Sequence, residues 1–136
     1  MGALRMLNCG FTTGTDPDQL DTIKVLSGRV IEERRKRLRM TQGQLASKVG
    51  VGVRWLREIE SGNPRSTMEN HLRCAFALGM SASHFFIPVL FSEHDIKFPL
   101  DILVEDPAAI KQRCLECIGD YCVETVALRL GRRFNG

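Results

Sequence analysis

The segment MTQGQLASKVGVGVRWLREIESGNP, residues 40–64, carries the signals of two short helices joined by a tight turn. Thr41 is a favourable N-cap, and Gln44 three residues later completes a capping-box pattern. The helix that they begin extends only to Gly50, which can adopt the left-handed conformation that ends a helix sharply. A second helix is predicted at residues 53–60. Two helices joined so tightly must cross steeply.

Small and apolar residues within this segment favour a close crossing of the two helices. Ala46 is small enough to permit the approach. Val51, Leu56 and Ile59 are expected to point inward and to fix the crossing angle. The following SGNP sequence ends the second helix, because it supplies a glycine and then a proline. The outer face of that helix is left free, and it carries Val53, Arg54, Arg57 and Glu58.

This pattern resembles the Cro/repressor helix-turn-helix family, which includes regulators of the xenobiotic-response-element type and DNA-binding antitoxins. The resemblance spans about residues 22–86. It implies an all-α, five-helix lambda-repressor-like helix-turn-helix domain whose third helix docks in the major groove of DNA. It rests on hallmark residues at the family's spacing, namely Thr41-Gln42, Leu45-Ala46, Val49-Gly50-Val51, Leu56, Ile59-Glu60, Gly62 and Leu78-Gly79.

Two further features bear on this resemblance. Arg35 and Glu60 match a family pair that forms a partly buried ion pair between the first helix and the end of the third, which is a structural role. Gly52 departs from the pattern, since the family commonly has Ser or Thr there as the N-cap of the third helix. Glycine is an acceptable cap, so the departure leaves the fold prediction intact but removes one phosphate contact.

The resemblance implies that Val53, Arg54, Arg57 and Glu58 contact bases. Arg54 is the strongest candidate, because a guanidinium can donate two hydrogen bonds to guanine and so discriminate by about 1–3 kcal/mol; a phosphate contact is the alternative. Glu58 could accept a hydrogen bond from a cytosine amino group, or it could orient Arg54 one turn away. Val53 could contact a thymine methyl group or simply begin the helix.

Four other residues are predicted to hold the DNA backbone: Gln42, Trp55, Asn63 and Arg65. Gln42 lies at the start of a helix, where backbone N–H groups favour a phosphate. The indole N–H of Trp55 could donate to a phosphate, although core packing explains this residue equally well. Asn63 and Arg65 follow the third helix and are expected to contact the flanking backbone. Such contacts position the protein without specifying a sequence.

The remaining sequence divides into a leader, a domain and an extension. Residues 1–21 are interpreted as a flexible leader, 22–87 as the helix-turn-helix DNA-binding domain and 88–136 as a C-terminal extension. The other helices of the domain are predicted at 22–39, 66–78 and 81–86. In the extension, residues 96–106 favour a short strand, although Pro99 interrupts the pattern.

A long helix is predicted at about residues 108–130 of the extension, with a wide apolar face that needs a partner surface. Ile110, Cys114, Cys117, Tyr121 and Leu128 lie near one stripe. A symmetric dimer contact would bury this face. The alternative is that the helix folds back on its own domain.

Charge and composition narrow the class of protein. Residues 24–73 hold twelve basic and five acidic residues, which concentrates positive charge in one block, as expected of a nucleic-acid-binding module; a solvated basic helix is the alternative. No stretch approaches eighteen consecutive apolar residues and no signal peptide is recognised, so a cytoplasmic protein is expected. No nucleophile with a paired base and no phosphate-binding loop is recognised, so neither an enzyme nor a bound cofactor is expected.

The five cysteines lie at positions 9, 74, 114, 117 and 122. Their odd number and the lack of an export signal favour reduced thiols. Cys114 and Cys117 have the CxxC spacing of zinc ligands, and Cys122 is close by, but a fourth ligand is lacking. Core packing, a redox role and metal binding therefore stay open for these three residues, and no metal site is predicted.

The expected function is a dimeric repressor that binds an inverted repeat through the major groove, with half-sites about 10 base pairs apart. The alternative is an antitoxin or adaptor that captures a partner protein through its C-terminal helix and regulates its own promoter. A third interpretation is a module that has lost DNA binding, which predicts no salt-dependent affinity for any duplex.

Overall fold

The computed structural model describes residues 17–135, which form seven α-helices and no strand. These are α1 (Pro17–Arg37), α2 (Gln42–Val49), α3 (Val53–Glu60), α4 (Met68–Ala77), α5 (Ser83–Ser92), α6 (Leu100–Glu105) and α7 (Pro107–Phe134). The first five helices form the predicted all-α, helix-turn-helix-like arrangement, and a long helix follows in the extension. The fold class expected from the sequence is therefore confirmed.

The core of the domain surrounds α1, which packs against α3, α4, α5 and α6. Val30 and Ile31 of α1 are fully buried, and they lie in one cluster with buried side chains from α2 to α6. The other large members of that cluster are Leu45, Leu56, Ile59, Leu78, Met80, Phe85, Leu103 and Val104. The residues predicted to fix the α2–α3 crossing thus lie inside, except that Val51 is only half-buried.

Two glycines allow α1 to lie directly against the end of α3. A Cβ atom on Gly28 would lie 2.5 Å from the backbone oxygen of Glu60, and one on Gly62 would lie 2.5 Å from the Cα atom of Val25. Gly62 also has a φ of 73°, a conformation that disfavours residues with a side chain. The backbone of α1 therefore fixes the C-terminal end of α3 without intervening side chains.

Several predicted boundaries differ from those of the structure. Helix α1 begins at Pro17 rather than near Thr22, so residues 17–21 of the predicted leader are helical, and the rest of the leader lies outside the described residues. Helix α5 continues to Ser92, past Pro88, because Pro88 and Val89 are buried in the domain.

The predicted strand at 96–106 is wrong, since Leu100–Glu105 forms helix α6. Successive residues Leu103 and Val104 are both buried, which suits a helix packed on its side rather than an alternating strand. The guanidinium of Arg34 donates from Nη1 to the backbone oxygen of Val104 at 2.8 Å and from Nε to that of Leu78 at 3.2 Å. Tertiary contacts with α1 thus override the β-branched composition.

Helix α7 is attached to the domain only by its first turns. Asp106 is its N-cap, with Oδ1 accepting from the backbone N–H of Ala109 at 3.1 Å, and the buried Pro107 follows. The backbone oxygen of Pro107 lies 2.6 Å from Nε2 of the buried His84. After Cys114 every residue of the helix except the half-buried Thr125 is exposed. Within the described residues, α7 does not fold back on its own domain, so that alternative is wrong.

Candidate nucleic-acid interface

The start of α2 and the turn from α2 to α3 have the geometry that the sequence predicts. Thr41 Oγ1 accepts from the backbone N–H of Gln44 at 3.1 Å, and Gln44 Oε1 accepts from the backbone N–H of Thr41 at 2.8 Å, which is a complete capping box. Gly50 ends α2 in the left-handed conformation, with φ 80° and ψ 32°. Gly52 caps α3 without a side-chain hydrogen bond, as expected for glycine. Helix α3 therefore starts immediately after the turn.

Helix α3 has one face in the core and one face toward solvent. Leu56 and Ile59 are fully buried, so the opposite side of the helix is presented outward. Val53, Arg54 and Arg57 lie on that outward side, and all three are exposed. Three of the four residues predicted to contact bases are therefore accessible together on the first turns of α3.

The fourth predicted base-contacting residue, Glu58, is half-buried and bonded within the domain. Its Oε2 atom accepts a hydrogen bond from Nδ2 of Asn63. Asn63 in turn accepts from the backbone N–H of Arg65 through Oδ1 at 2.9 Å. Glu58 thus stabilises the loop after α3, whereas the sequence left open a base contact or a contact with Arg54 for this residue. Both polar atoms of the Asn63 side chain already have partners.

Gln42 connects the outward face of α3 to a buried ion pair. Its Oε1 accepts from Nε of Arg57 at 3.1 Å, and its Nε2 donates to Oε2 of Glu60 at 2.9 Å. Glu60 is bound by Arg35 through two hydrogen bonds, so the predicted structural ion pair is confirmed. A chain of hydrogen bonds thus runs from the interior to Arg57 and restricts the direction of its guanidinium.

The other residues predicted to contact phosphate differ in exposure. Arg65 is exposed in the loop after α3. Trp55 is half-buried and packs against the hydrophobic core, in agreement with the packing role that the sequence left open. Gln42 is half-buried at the first turn of α2. Gln42 therefore contacts the outward face of α3 from the preceding helix, and Arg65 is accessible in the loop that follows α3.

The loop after α3 is held from behind by buried polar contacts. His71 of α4 lies between two hydroxyl groups, with Nδ1 2.7 Å from Ser27 Oγ and Nε2 2.8 Å from Ser66 Oγ. Burial, together with the charge of Lys24, lowers the pKa of His71 to about 4. Nζ of Lys24 also donates to the backbone oxygen of Pro64 at 2.6 Å. A neutral imidazole thus stabilises the segment that carries Arg65.

Sequence reasoning missed two contacts that support this surface, those of Gln42 with Arg57 and of Glu58 with Asn63. The first joins residues fifteen positions apart. No local signal indicated it, because Gln42 at the start of α2 meets Arg57 and Glu60, in the second half of α3, only through the crossing of the two helices. The second is local, and the spacing of Glu58 and Asn63 across a helix end was its only signal.

Cysteines and acidic residues form no metal centre in the described part of the chain. No group of three or more potential metal ligands occurs among the residues searched. Cys74 is buried, and burial together with the charge of Glu60 raises the pKa of its thiol to about 12. Cys117 and Cys122 are exposed on α7, and Cys114 is partly exposed. Across residues 17–135, no helix has the length and apolar content needed to cross a membrane.

Comparison with known proteins adds no relative. No family model, curated protein or solved structure matches this chain. The resemblance to helix-turn-helix regulators therefore depends on the residues of α2, the turn and α3 themselves.

Proposed function

We propose that this protein is a sequence-specific, DNA-binding transcriptional regulator that inserts the start of α3 into the major groove. The observation that supports this proposal is the outward face of α3, on which Val53, Arg54 and Arg57 are exposed while Leu56 and Ile59 anchor the opposite side. A helix held in this way can approach base edges without rearrangement of the domain.

The two arginines of this face have different constraints, which favours different roles. Arg54 has no side-chain hydrogen bond or ion pair to another described residue, so its guanidinium is available for two hydrogen bonds to a guanine. Arg57 uses Nε to bind Gln42, and its two terminal nitrogens stay available in a restricted direction. Arg54 is therefore the principal base-contacting residue of the proposal, and Arg57 is a pre-oriented contact beside it.

Backbone contacts complete the proposed DNA surface. Arg65 and the N–H groups at the start of α2 face phosphates on either side of the groove. Because one such helix contacts too few bases for useful specificity, the regulator acts as a homodimer on an inverted repeat, as a repressor in the cytoplasm. It requires no cofactor for this role.

A second candidate function is an antitoxin or adaptor that also binds a partner protein. The exposed length of α7 favours it, because this helix leaves many large apolar side chains in solvent. In that function α3 still binds the promoter, and α7 binds the partner. Purification from the native host separates the two: a stable complex with a different protein favours the adaptor.

Selection of bound duplexes from a random pool tests the proposed function. The full-length chain is expected to enrich one motif with two-fold symmetry, and Arg54→Ala is expected to lose preference at a guanine of each half-site. The control is Lys97→Ala, an exposed change outside the basic segment, which should enrich the wild-type motif. Recovery of no motif, with affinity for duplexes that does not depend on salt, contradicts DNA binding.

A further inference from the structure

The C-terminal helix α7 presents an apolar surface that the domain does not cover. It contains 28 residues, about 42 Å of helix, and only its first turns contact α5 and α6. Between Cys114 and Leu128, one side of the helix carries no charged residue. The apolar side chains exposed there include Leu115, Ile118, Tyr121, Val126 and Leu128, each more than half exposed. We refer to this side of α7 as the apolar seam.

Charged residues lie at the back and at the ends of this helix. Glu116, Asp120 and Glu124 recur at four-residue intervals and lie away from the centre of the apolar seam. The C-terminal end carries Arg129, Arg132 and Arg133, all exposed. The turn where α7 leaves the domain carries exposed acidic residues at Asp101, Glu105 and Asp106. The first turns of α7 also carry exposed Lys111 and Arg113, so the acidic region is the turn itself, and its charge is opposite to that of the C-terminal end.

We propose that the apolar seam pairs with that of a second copy of this chain, the two α7 helices running antiparallel. This inference rests on the proposed function in one respect, because that function requires a homodimer. In a parallel pair, the three C-terminal arginines of both copies would repel one another. In an antiparallel pair, the arginines of each copy approach the acidic turn of the other, so charge favours this direction.

The overlap of the two seams defines a register. When residues 114–125 of both copies overlap, the layer nearest the middle places Ile118 against Tyr121 of the second copy. The adjacent layer then places Cys114 against Thr125 of the second copy. Arg132 of the second copy reaches the level of Pro107, beside Asp106. One Asp106 oxygen caps α7, and the other oxygen can accept from this arginine.

The size of this contact is sufficient for a stable dimer. Overlap of residues 107–132 of both copies extends along about 39 Å of helix, of which the apolar seam forms the central part, and buries on the order of 800 Å² per copy, which is the size of a standard specific interface. It also places the two DNA-binding domains at opposite ends of the helix pair. The starts of the two α7 helices are then about 38 Å apart along the helix pair.

Cross-linking of defined cysteine pairs tests the direction and register of the helices. The background replaces Cys9, Cys114, Cys117 and Cys122 by serine and keeps Cys74, which is buried with a thiol pKa raised to about 12. Full-length chains are mixed, treated with a short bifunctional maleimide and analysed for covalent dimers. A chain with only Cys114 mixed with a chain carrying only Thr125→Cys is expected to cross-link. Chains carrying only Leu128→Cys are expected not to cross-link with one another.

The matched control uses two positions at the same level of the helix pair but outside the contact. Chains with only Glu116→Cys and only Val123→Cys lie on the outer side and are expected to give little covalent dimer. Cross-links between identical Leu128→Cys chains would overturn the antiparallel direction. A mixture of Cys114 and Thr125→Cys chains that gives no more dimer than the outer control would also overturn the proposal.

Sedimentation distinguishes this proposal from the proposed function. Ile118→Glu is expected to weaken dimerisation at least tenfold, whereas Glu116→Lys, on the outer side, should leave it within twofold. Circular dichroism confirms that both chains keep their helices. Arg54→Ala is expected to dimerise like wild type. The DNA-binding proposal and the pairing proposal can therefore be contradicted separately. A wild-type chain that sediments as a monomer at micromolar concentration overturns the pairing and leaves the DNA-binding face to be judged by the selection experiment.

Discussion

Arg35 and Glu60 form a two-point ion pair between α1 and the last residue of α3, with Nε 2.6 Å from Oε1 and Nη2 3.1 Å from Oε2. Arg35 also donates from Nη1 to the backbone oxygen of Met40 at 2.9 Å. Both side chains are more than nine-tenths buried. Their pairing fixes the end of α3 relative to α1 and supports Gln42, which contacts Arg57 on the exposed face.

Removal of either partner of this ion pair is expected to destabilise the domain strongly. Glu60→Ala leaves the Arg35 guanidinium buried without its carboxylate, which should lower the free energy of unfolding by about 3–5 kcal/mol. The measurement is urea denaturation of wild type, of Arg35→Ala, of Glu60→Ala and of the variant with both changes. The control is Glu32→Ala, which removes an exposed ion pair with Lys36 and should leave stability almost unchanged. Additive losses in the double variant would contradict a direct pair.

Arg54 and Arg65 are expected to contribute to DNA binding in different ways. Arg54→Ala should lose about 1–3 kcal/mol of discrimination at one base pair of each half-site while residual non-specific binding persists. Arg65→Ala should weaken all duplexes alike and reduce the dependence of affinity on salt. Competition binding at several salt concentrations, on the selected duplex and on single-base variants, measures both effects. If both variants bind the selected duplex like wild type, the assignment of the docking face is wrong.

The sequence predicts the local parts of this fold more accurately than the tertiary parts. The bounds of α3 were predicted to the residue, because its start and end depend on turn residues next to it. The segment around Leu103 was predicted as a strand, since its helix is stabilised by burial against α1 and by Arg34, neither of which is local. The orientation of Glu58 toward Asn63 likewise depends on the course of the chain after α3. The exposure of Val53, Arg54 and Arg57 on α3, in contrast, follows directly from helical spacing.

Acid is expected to destabilise the domain through His71. Burial lowers its pKa to about 4, whereas an unfolded chain has a histidine pKa near 6.5. Between these values the unfolded state binds more protons, so the stability from neutral His71 is complete above about pH 6.5 and is lost as pH falls toward about 4. The contribution of His71 to the free energy of unfolding changes by at most about 1.4 kcal/mol per pH unit. Urea unfolding of wild type and His71→Gln between pH 7.5 and 4 measures this contribution. The difference between the two unfolding free energies at each pH removes the contribution of the carboxylates, which both proteins share. Parallel pH profiles of the two proteins would contradict this account.

Gly28 is expected to tolerate no side chain, because α1 and the end of α3 touch there through their backbones. A Cβ atom at this position would lie 2.5 Å from the oxygen of Glu60 and 2.7 Å from that of Ile59, and neither backbone atom can rotate away. Gly28→Ala should therefore lower the free energy of unfolding by about 1–3 kcal/mol, although alanine favours a helix. Gly43→Ala is the matched control, since this helical glycine is exposed and its nearest neighbour to an added Cβ is Thr41 Oγ1 at 3.9 Å. That control should be neutral or stabilising by up to about 1 kcal/mol. Denaturation of both variants beside wild type gives the comparison, and a Gly28→Ala protein as stable as Gly43→Ala would mean that α1 and α3 do not approach as closely as the structure shows.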